Sequence, residues 1–395
     1  MSLEEDLKAE GRRLGFHRVG IGPASELRRA REVLEAQAAS GTAPAFVPSD
    51  PGLRTDPARW LPGARSMIAV ALAIPRPPRT ARGDDAPRGL LARYACFEDY
   101  HPVIEAGLGK LMAFLERRLD RPVAWRPLVD TSPAVDRAIA EQAGLGGFGK
   151  NGCLYVEGAG SWVLLGAAVT DVALEPDPPV EVDCGTCTRC LDACPTGALE
   201  PYRVNSRLCI SEATQLRGPL PPERRASLGR YLWGCDICQQ ACPWNRGMPE
   251  EPGPLQPLPH VAPNPSLLEM LTLTRQGFLE RFARSALNWR DEKLLRRNAA
   301  YALGNLRRAE AVPALAERLA CDPSPTVRGA AAWALGRIGT PEAVDELKRH
   351  LGAEQDEGVR AEIEAALEAA RATSAPGSPA ERPKDPGGYP PASPP

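Results

Sequence analysis

The sequence has no long apolar segment. No run of about 18 or more apolar residues occurs among its 395 residues, so a membrane-spanning helix is not expected. The first residues, MSLEEDLKAEGRRLGF, are acidic and amphipathic, and they lack the apolar centre of a secretory signal peptide. We therefore expect a cytoplasmic protein that makes no use of a membrane.

The sequence also lacks an excess of charge of either sign. Lys and Arg number 48, Asp and Glu number 50, and the formal net charge is -2. This balance provides no global positive field that would attract nucleic acid or an anionic membrane surface. Any anionic partner must therefore meet a local basic patch.

Without an export signal, the eleven cysteines are not expected to form a disulfide scaffold. Eight of them lie between Cys184 and Cys242. The segment CGTCTRCLDACPTGAL has the spacing C-x2-C-x2-C-x3-C-P, which is typical of bacterial ferredoxins. In that arrangement three thiolates bind one cluster, and the cysteine before the proline binds a second cluster.

A second group of cysteines completes a two-cluster pattern, with its first member further from the others than is usual. The quasi-twofold order of ferredoxins predicts one 4Fe-4S cluster on Cys184, Cys187, Cys190 and Cys242, and another on Cys194, Cys209, Cys235 and Cys238. Four-cysteine sets also form zinc sites. The interleaved order, with a Cys-Pro at the end of each set, favours clusters over zinc.

Three cysteines lie outside this pattern. They are isolated in the sequence, and an isolated cysteine is most often a small buried apolar side chain. We therefore expect no chemical role for Cys96, Cys153 and Cys321.

The predicted fold class is an α/β (α+β) N-terminal domain, a ferredoxin-like two-cluster domain and a C-terminal HEAT-like α-solenoid. Helical periodicity at Leu3 to Leu14 and Leu108 to Leu119 and apolar runs at 66–74 and 161–174 predict helices packed on a sheet. The predicted boundaries are 1–175 for the first domain, 176–248 for the ferredoxin-like domain, 249–290 for a linker and helical connection, 291–370 for the repeats and 371–395 for a disordered tail.

The C-terminal block repeats itself with a period of 32 residues. Leu303 aligns with Leu335 and Gly304 with Gly336, and a third copy begins near Val359. An Ala-Leu-Gly turn between short amphipathic helices is typical of HEAT-like repeats.

Two segments of the first domain carry candidate functional residues. Asp130 is either the N-cap of a helix that starts near Ala134 or a catalytic acid at the end of a strand. The glycines at 144–149 permit close approach of the backbone to a large ligand, and their amides could bind phosphate. For His101 the residues alone favour a structural role over a role as ligand or acid.

Several motifs together resemble the epoxyqueuosine reductase family over roughly residues 1 to 370. They are LRTDPARWLPGARS (53–66), Asp-Tyr-His (99–101), LVDTSP with AGLGGFGKN, the two cysteine motifs, LCISEATQ (208–215) and the terminal repeats. The resemblance implies an oxidoreductase that catalyses the last step of queuosine biosynthesis with cobalamin and two 4Fe-4S clusters. It implies a substrate tRNA with epoxyqueuosine at the wobble position, an electron-donor protein or reductant, and a monomer.

The resemblance also assigns roles to residues of the 1–175 domain and the ferredoxin-like domain. It implies that Asp130 is the proton donor, with a pKa raised by burial beneath a cofactor. It places on or near cobalamin Arg54, Asp130, Asn151, Leu154, Ser211 and Asp236. Electrons would pass through the clusters to the corrinoid, and loss of water would leave the cyclopentene of queuosine.

An anticodon loop needs basic residues to hold its phosphates. Candidates, which could equally be a solvated helix face, are Arg217, Arg224, Arg225, Arg296, Arg297, Arg307, Arg308 and Arg328.

Two other functions remain open from the residues. A reductive dehalogenase would share corrinoid and clusters but usually carries an export signal and lacks such repeats. An electron-transfer adaptor with a protein-binding solenoid would need only the clusters.

Overall fold

The computed structural model describes residues 2–77, 86–246 and 253–373. Of the tail predicted at 371–395, residues 374–395 lie outside the described residues, and 371–373 belong to the last helix. No helix in the described ranges combines the length and apolar character needed to cross a membrane.

The α-helices of the described residues range in length from the 4 residues of α4 to the 20 residues of α5. In chain order they are α1 (Leu3–Arg13), α2 (Arg28–Ser40), α3 (Pro51–Thr55), α4 (Pro57–Trp60), α5 (Tyr100–Leu119), α6 (Asp136–Gln142), α7 (Arg189–Ala193), α8 (Ile210–Gln215), α9 (Pro222–Arg225), α10 (Ile237–Gln240), α11 (Leu267–Leu271), α12 (Arg275–Phe282), α13 (Glu292–Leu306), α14 (Val312–Cys321), α15 (Pro325–Ile338), α16 (Pro341–Leu351) and α17 (Glu357–Thr373).

The strands are mostly short. They are β1 (Arg18–Pro23), β2 (Ser66–Ala73), β3 (Leu90–Leu91), β4 (Trp125–Leu128), β5 (Gly147–Phe148), β6 (Leu154–Tyr155), β7 (Val163–Thr170), β8 (Leu199–Glu200), β9 (Arg203–Val204) and β10 (Tyr231–Trp233).

The chain forms two compact units, and each combines separate stretches of sequence. The first contains Met1–Arg76, Phe97–Cys209 and Asp236–Gln256, and the second contains Pro77–Cys96, Ile210–Cys235 and Pro257–Pro395. The division of the sequence into five consecutive segments stays a prediction.

A four-stranded sheet in the order β1-β2-β7-β4 is the centre of the first unit. All its neighbouring strands are antiparallel, and Ala69 of β2 pairs with Gly20 on one side and Ala167 on the other. Because β2 lies between two strands and is buried over almost its whole length, its sequence is a continuous apolar run. The strands predicted at 66–74 and 161–174 are thereby confirmed as β2 and β7.

Helix α6 packs on this sheet and fixes the turn that precedes it. Ile139 of α6 shares one buried core with Met67, Leu128 and Val169 of the strands. Strand β4 ends at Leu128 and α6 begins at Asp136, so residues 129–135 form a turn between two anchored elements. This turn contains Asp130.

The second unit contains the repeats. Helices α13, α15 and α17 pack in succession, and α14 and α16 are the second helices of the pairs. A Cβ atom on Gly304 would lie 2.8 Å from Ala334, and one on Gly336 would lie 2.7 Å from Ala366. Each glycine therefore permits the backbone of the next helix to approach closely. The same contact recurs at the period seen in the sequence, which confirms the HEAT-like repeats.

Most of the arginines considered for phosphate binding are engaged inside the second unit. Arg297 is fully buried, and its guanidinium donates to the carbonyl groups of Ala213, Leu216 and Gly218. Burial lowers the pKa of Arg297 to about 10. This arginine fastens α13 to residues 213–218, so its assignment as a phosphate ligand is wrong.

Ion pairs engage four more of these arginines. The pairs are Arg224 with Glu212, Arg225 with Glu362, Arg296 with Asp322 and Arg328 with Glu354. The side chains of these arginines are between 5% and 16% exposed, so they are neither a solvated face nor open to a phosphate backbone. Their roles are structural.

Two glycines of α15 give a matched test of the repeat packing. Replacing Gly336 with Ala would place its Cβ 2.7 Å from both the Cβ and the carbonyl oxygen of Ala366, so we expect a loss of about 1–3 kcal/mol from the free energy of unfolding. In Gly329→Ala the nearest atom is a flexible Glu362 side chain at 3.5 Å, and we expect a gain of roughly 0.5–1 kcal/mol. Urea denaturation of the full chain measures both changes, and equal midpoints in the two variants would contradict the packing.

Candidate active site and cluster-binding cavity

Asp130 lies on a strained turn after β4. Its φ of 27° is in the left-handed region, which non-glycine residues seldom occupy. Its amide donates a hydrogen bond to Oδ2 of Asp136 at 3.0 Å, and this bond holds the turn against the first residue of α6. The N-cap of α6 is Val135, whose side chain makes no capping bond, so the interpretation of Asp130 as the cap is wrong.

The start of α5 brings an imidazole to Asp130. Asp99 caps α5, because its carboxylate accepts from the His101 amide. Nδ1 of His101 lies 2.6 Å from Oδ1 of Asp99, and Nε2 lies 3.4 Å from Oδ2 of Asp130. The second distance is that of an ion pair. His101 thus lies between two carboxylates.

These carboxylates decide the protonation of His101. Desolvation of the ring opposes its charge, but the contacts with Asp130 and Asp99 outweigh that effect and raise the pKa of His101 to about 9. The same contact with His101 lowers the pKa of Asp130, against a smaller effect of desolvation. The side chain of Asp130 is 64% exposed. The pKa of this carboxyl is therefore lowered in the protein without cofactor, and the rise expected from burial beneath a cofactor stays a prediction.

A second acid beneath Asp130 was not recognised in the sequence. Burial and the nearby Asp130 charge raise the pKa of Asp136 to about 7. Its Oδ1 atom is buried and has no hydrogen-bond partner within the described ranges. The position of this acid, six residues after Asp130, gave no signal, because its role depends on how the turn folds back.

Arg54 and Arg137 border the Asp130 turn. Nε of Arg54 lies 3.4 Å from the carbonyl oxygen of Pro133, and desolvation lowers the pKa of this half-buried guanidinium. Arg137 donates to the carbonyl of Gly152 and so connects α6 to the glycine loop. The amide and phosphate oxygens of cobalamin are hydrogen-bond acceptors, which suit a partly desolvated guanidinium such as Arg54. The residues present therefore fit the corrinoid that the resemblance implies.

The glycines at 144–147 serve contacts within the protein. A Cβ on Gly146 would lie 2.2 Å from the carbonyl oxygen of Tyr155, and one on Gly147 would lie 2.7 Å from that of Val180. The space beside these glycines is filled by backbone. The close approach that they permit is therefore to the protein's own backbone, and phosphate binding by their amides stays a prediction.

The neighbouring residues 149–153 form a closed turn. The Gly149 amide donates to the Cys153 carbonyl and the Gly152 amide to the Gly149 carbonyl, each at 2.9 Å. This turn carries Asn151, which is 3% exposed, and leads into Leu154, which is also 3% exposed.

Four thiols line one cavity of about 90 Å³ in the first unit. Its walls are formed by Lys150, Asn151, Tyr155, Cys184, Cys187, Cys190, Cys242, Pro243 and Trp244. Nζ of Lys150 donates to the carbonyl groups of Gly185 and Cys187 at 2.6 and 3.1 Å, which fixes the cysteine loop. Four thiolates around a cavity form a donor set that suits an iron–sulfur cluster.

The other predicted cluster ligands are placed as follows. Cys194, Cys209 and Cys238 belong to the first unit, and Cys235 ends a stretch of the second. The thiol of Cys238 lowers the pKa of Cys153, to which the sequence assigned no chemistry. Only folding brings the two together, so spacing could not have indicated this contact.

The last two predicted cofactor residues lie in different units. Asp236 is 4% exposed, and Nε2 of Gln239 donates to its carboxylate at 3.3 Å. Ser211 lies on α8 in the second unit. Their predicted contact with cobalamin stays a prediction.

Comparisons with known proteins agree with this arrangement. Residues 54–131 match the family model described as Epoxyqueuosine reductase QueG, DUF1730. Residues 183–245 match the 4Fe-4S double cluster binding domain, and residues 282–368 match HEAT repeats.

Full-length relatives give the same result. The epoxyqueuosine reductase of Bacillus cereus is 38% identical over 93% of this chain and 97% of its own length. That of Bacillus subtilis strain 168 is 38% identical over 94% of this chain and 97% of its own length. The chain belongs to the epoxyqueuosine reductase family. It is an oxidoreductase whose cofactors are those of this family, cobalamin and two 4Fe-4S clusters.

Solved structures of epoxyqueuosine reductases have the same fold. One, a crystal structure with an epoxyqueuosine-modified tRNA-Tyr stem loop, has a TM-score of 0.85 at 38% identity and covers 93% of this chain and 99% of its own. Another, from Bacillus subtilis with its catalytic loop swung out of the active site, has a TM-score of 0.84 at 37% identity and covers 93% of this chain and 98% of its own.

The raised pKa of His101 predicts how its ring titrates. Because the folded value of about 9 exceeds the ordinary 6.5, the stabilisation from protonated His101 is fully present below pH 6.5 and is lost as the pH rises through 9. The sequence has four histidines, so imidazole NMR resonances can be assigned by comparison with His101→Gln. A His101 midpoint near 6.5 would contradict the double carboxylate contact, and Asp99→Asn should move the midpoint downward.

Proposed function

We propose that this chain reduces epoxyqueuosine in the anticodon loop of tRNA to queuosine. The reaction consumes two electrons and two protons, breaks the C–O bonds of the epoxide, forms a C=C bond and releases water. Within a chain that belongs to the epoxyqueuosine reductase family, the exposed Asp130 carboxyl beside protonated His101 is the observation that carries the proposal. The Asp130 carboxyl supplies an acid at the place where the epoxide oxygen must leave.

Asp130 donates a proton to the leaving oxygen, and His101 carries that proton before substrate binds. In the free protein the proton resides on His101, since its pKa is raised and that of Asp130 is lowered. Substrate that covers Asp130 removes water from its carboxylate, and desolvation raises a carboxyl pKa. The shared proton then shifts from Nε2 of His101 to Oδ2 of Asp130. Asp136 keeps the turn in place through the Asp130 amide.

Cobalamin, when bound and reduced through the clusters, supplies the electrons that break the epoxide. Arg54, Asn151, Leu154, Ser211 and Asp236 are proposed to hold it. The thiolates proposed for one cluster are those of the four-cysteine cavity, and those proposed for the other are Cys194, Cys209, Cys235 and Cys238. We further propose that the protein acts in the cytoplasm as a monomer and receives its electrons from a donor protein or reductant.

Variants at Asp130 and His101 test the proton path. Removing the acid in Asp130→Ala should lower the rate of epoxyqueuosine reduction by about 10²–10⁴-fold, and His101→Gln should lower it less, because Asp130 can still draw a proton from water. The assay uses protein reconstituted anaerobically with iron, sulfide and cobalamin, a chemical reductant and epoxyqueuosine tRNA, with nucleoside mass spectrometry for loss of one oxygen.

Asp345→Asn, at an exposed ion pair on α16, is the matched control and should keep the wild-type rate. Wild-type activity in Asp130→Ala would show that Asp130 is not the acid. No conversion by wild-type protein that holds both clusters and cobalamin would indicate another corrinoid substrate. Failure to bind cobalamin would favour the electron-transfer adaptor.

We also propose where the second unit contacts tRNA phosphates. A cavity of about 630 Å³ in this unit is lined by basic side chains, including Arg217, Arg275, Arg290 and Lys293. Desolvation and the charge of Arg217 lower the pKa of Arg290. Bound phosphate would relieve this crowding of like charge.

Aromatic and acidic groups complete the walls of this cavity. The Arg290 guanidinium lies 3.3 Å from the ring centroid of Trp289, which is 46% exposed. Such an arginine and aromatic pair can hold a phosphate and stack against a base. Glu292 pairs with Arg275, and Asp291 caps α13, so the acidic groups of the wall already have partners.

Salt dependence distinguishes phosphate contacts from structural effects. Arg217→Ala and Lys293→Ala should each weaken binding of an anticodon stem loop and reduce the slope of log Kd against log salt by about 1. Arg349→Ala, at an exposed arginine of α16 paired with Glu346, is the matched control. Unchanged slopes in both test variants would place the tRNA elsewhere.

A further inference from the structure

Tyr155 is a buried polar side chain to which neither the sequence nor the proposed reaction assigns a role. It lies on β6 and is 3% exposed. Its ring lines the same cavity as the thiols of Cys184, Cys187, Cys190 and Cys242, and it packs edge-on against Trp244, two residues after Cys242, with the ring centroids 6.4 Å apart.

Asn151 determines how the Tyr155 hydroxyl can take part in hydrogen bonds. The Cys153 amide donates to Oδ1 of Asn151 at 3.1 Å, which fixes the orientation of the Asn151 amide group. Nδ2 of Asn151 therefore faces the Tyr155 oxygen, at 3.0 Å, and donates to it. A phenol has a single hydrogen. Since the Tyr155 oxygen accepts from Asn151, its own hydrogen remains to be donated, and the sulfurs of the four cysteines are acceptors that line the same cavity.

We propose that Tyr155 donates a hydrogen bond to the Cys242 thiolate and thereby raises the reduction potential of the cluster bound by Cys184, Cys187, Cys190 and Cys242. This inference rests on the proposed assignment of these four cysteines to one cluster. It makes Tyr155 a positioning residue of the electron path, and Asn151 fixes its hydroxyl.

The physical cause is the charge of the reduced cluster. Reduction adds one electron, and part of the added negative charge spreads to the thiolate sulfurs. A hydrogen-bond donor at a sulfur stabilises the reduced form more than the oxidised form, so the potential rises. The proton stays on Tyr155 in both states.

The test removes only the hydroxyl. Wild-type protein and Tyr155→Phe are reconstituted with iron and sulfide and titrated with dithionite, and the reduced clusters are followed by electron paramagnetic resonance. We expect one cluster potential to become more negative in Tyr155→Phe, with the other unchanged and full iron content. Tyr301→Phe is the matched control. Its hydroxyl accepts from the Leu220 amide in the second unit, and both potentials should stay at their wild-type values.

A second variant tests the opposite sign. Replacement of Tyr155 with 3-fluorotyrosine keeps the ring but makes the hydroxyl a stronger donor, so the same potential should become more positive. Unchanged potentials in both variants would overturn the proposal. Loss of iron from Tyr155→Phe would assign the hydroxyl to cluster retention and would overturn it as well. The titration contains neither tRNA nor cobalamin, so its failure leaves the proposed reaction untouched, and failure of that reaction leaves this inference standing.

Discussion

The hydrogen bond between the Asp130 amide and the Asp136 carboxylate is the constraint on which the polar site of the first unit depends. It holds Asp130 at a positive φ, a conformation that costs of order 1–3 kcal/mol for a non-glycine residue. Asp136 can accept this bond because α6 begins there and is anchored to the sheet through Ile139. The Asp130 side chain then faces His101, which sets its charge.

Periodicity made much of the fold predictable. Strand β2 is buried along nearly its whole length and therefore appears as an unbroken apolar run, whereas β4 exposes side chains and contains Pro127, so it gave little signal. The HEAT-like repeats were visible because Gly304 and Gly336 make the same contact at equivalent positions. The cysteine spacing indicated the cluster-binding segment.

Side-chain charge and direction were less predictable, because they depend on partners distant in sequence. Arg297 resembles a surface cation in the sequence, but it donates to carbonyl groups about eighty residues away. Asp130 was recognised as an acid from the family motif, yet its pKa is lowered by His101, which lies on α5, about thirty residues earlier in the sequence. The glycines at 146 and 147 suggested a ligand loop, and their neighbours prove to be backbone of the same unit.

The recurring glycine contact also has an evolutionary consequence. Because Gly304 contacts Ala334 as Gly336 contacts Ala366, the first helices of successive repeats pack through equivalent positions. Tandem duplication of one 32-residue segment would insert a new helix pair that repeats this contact. The solenoid could therefore change length within a lineage without redesign of its core, while the sheet and cluster ligands of the first unit stayed under separate selection.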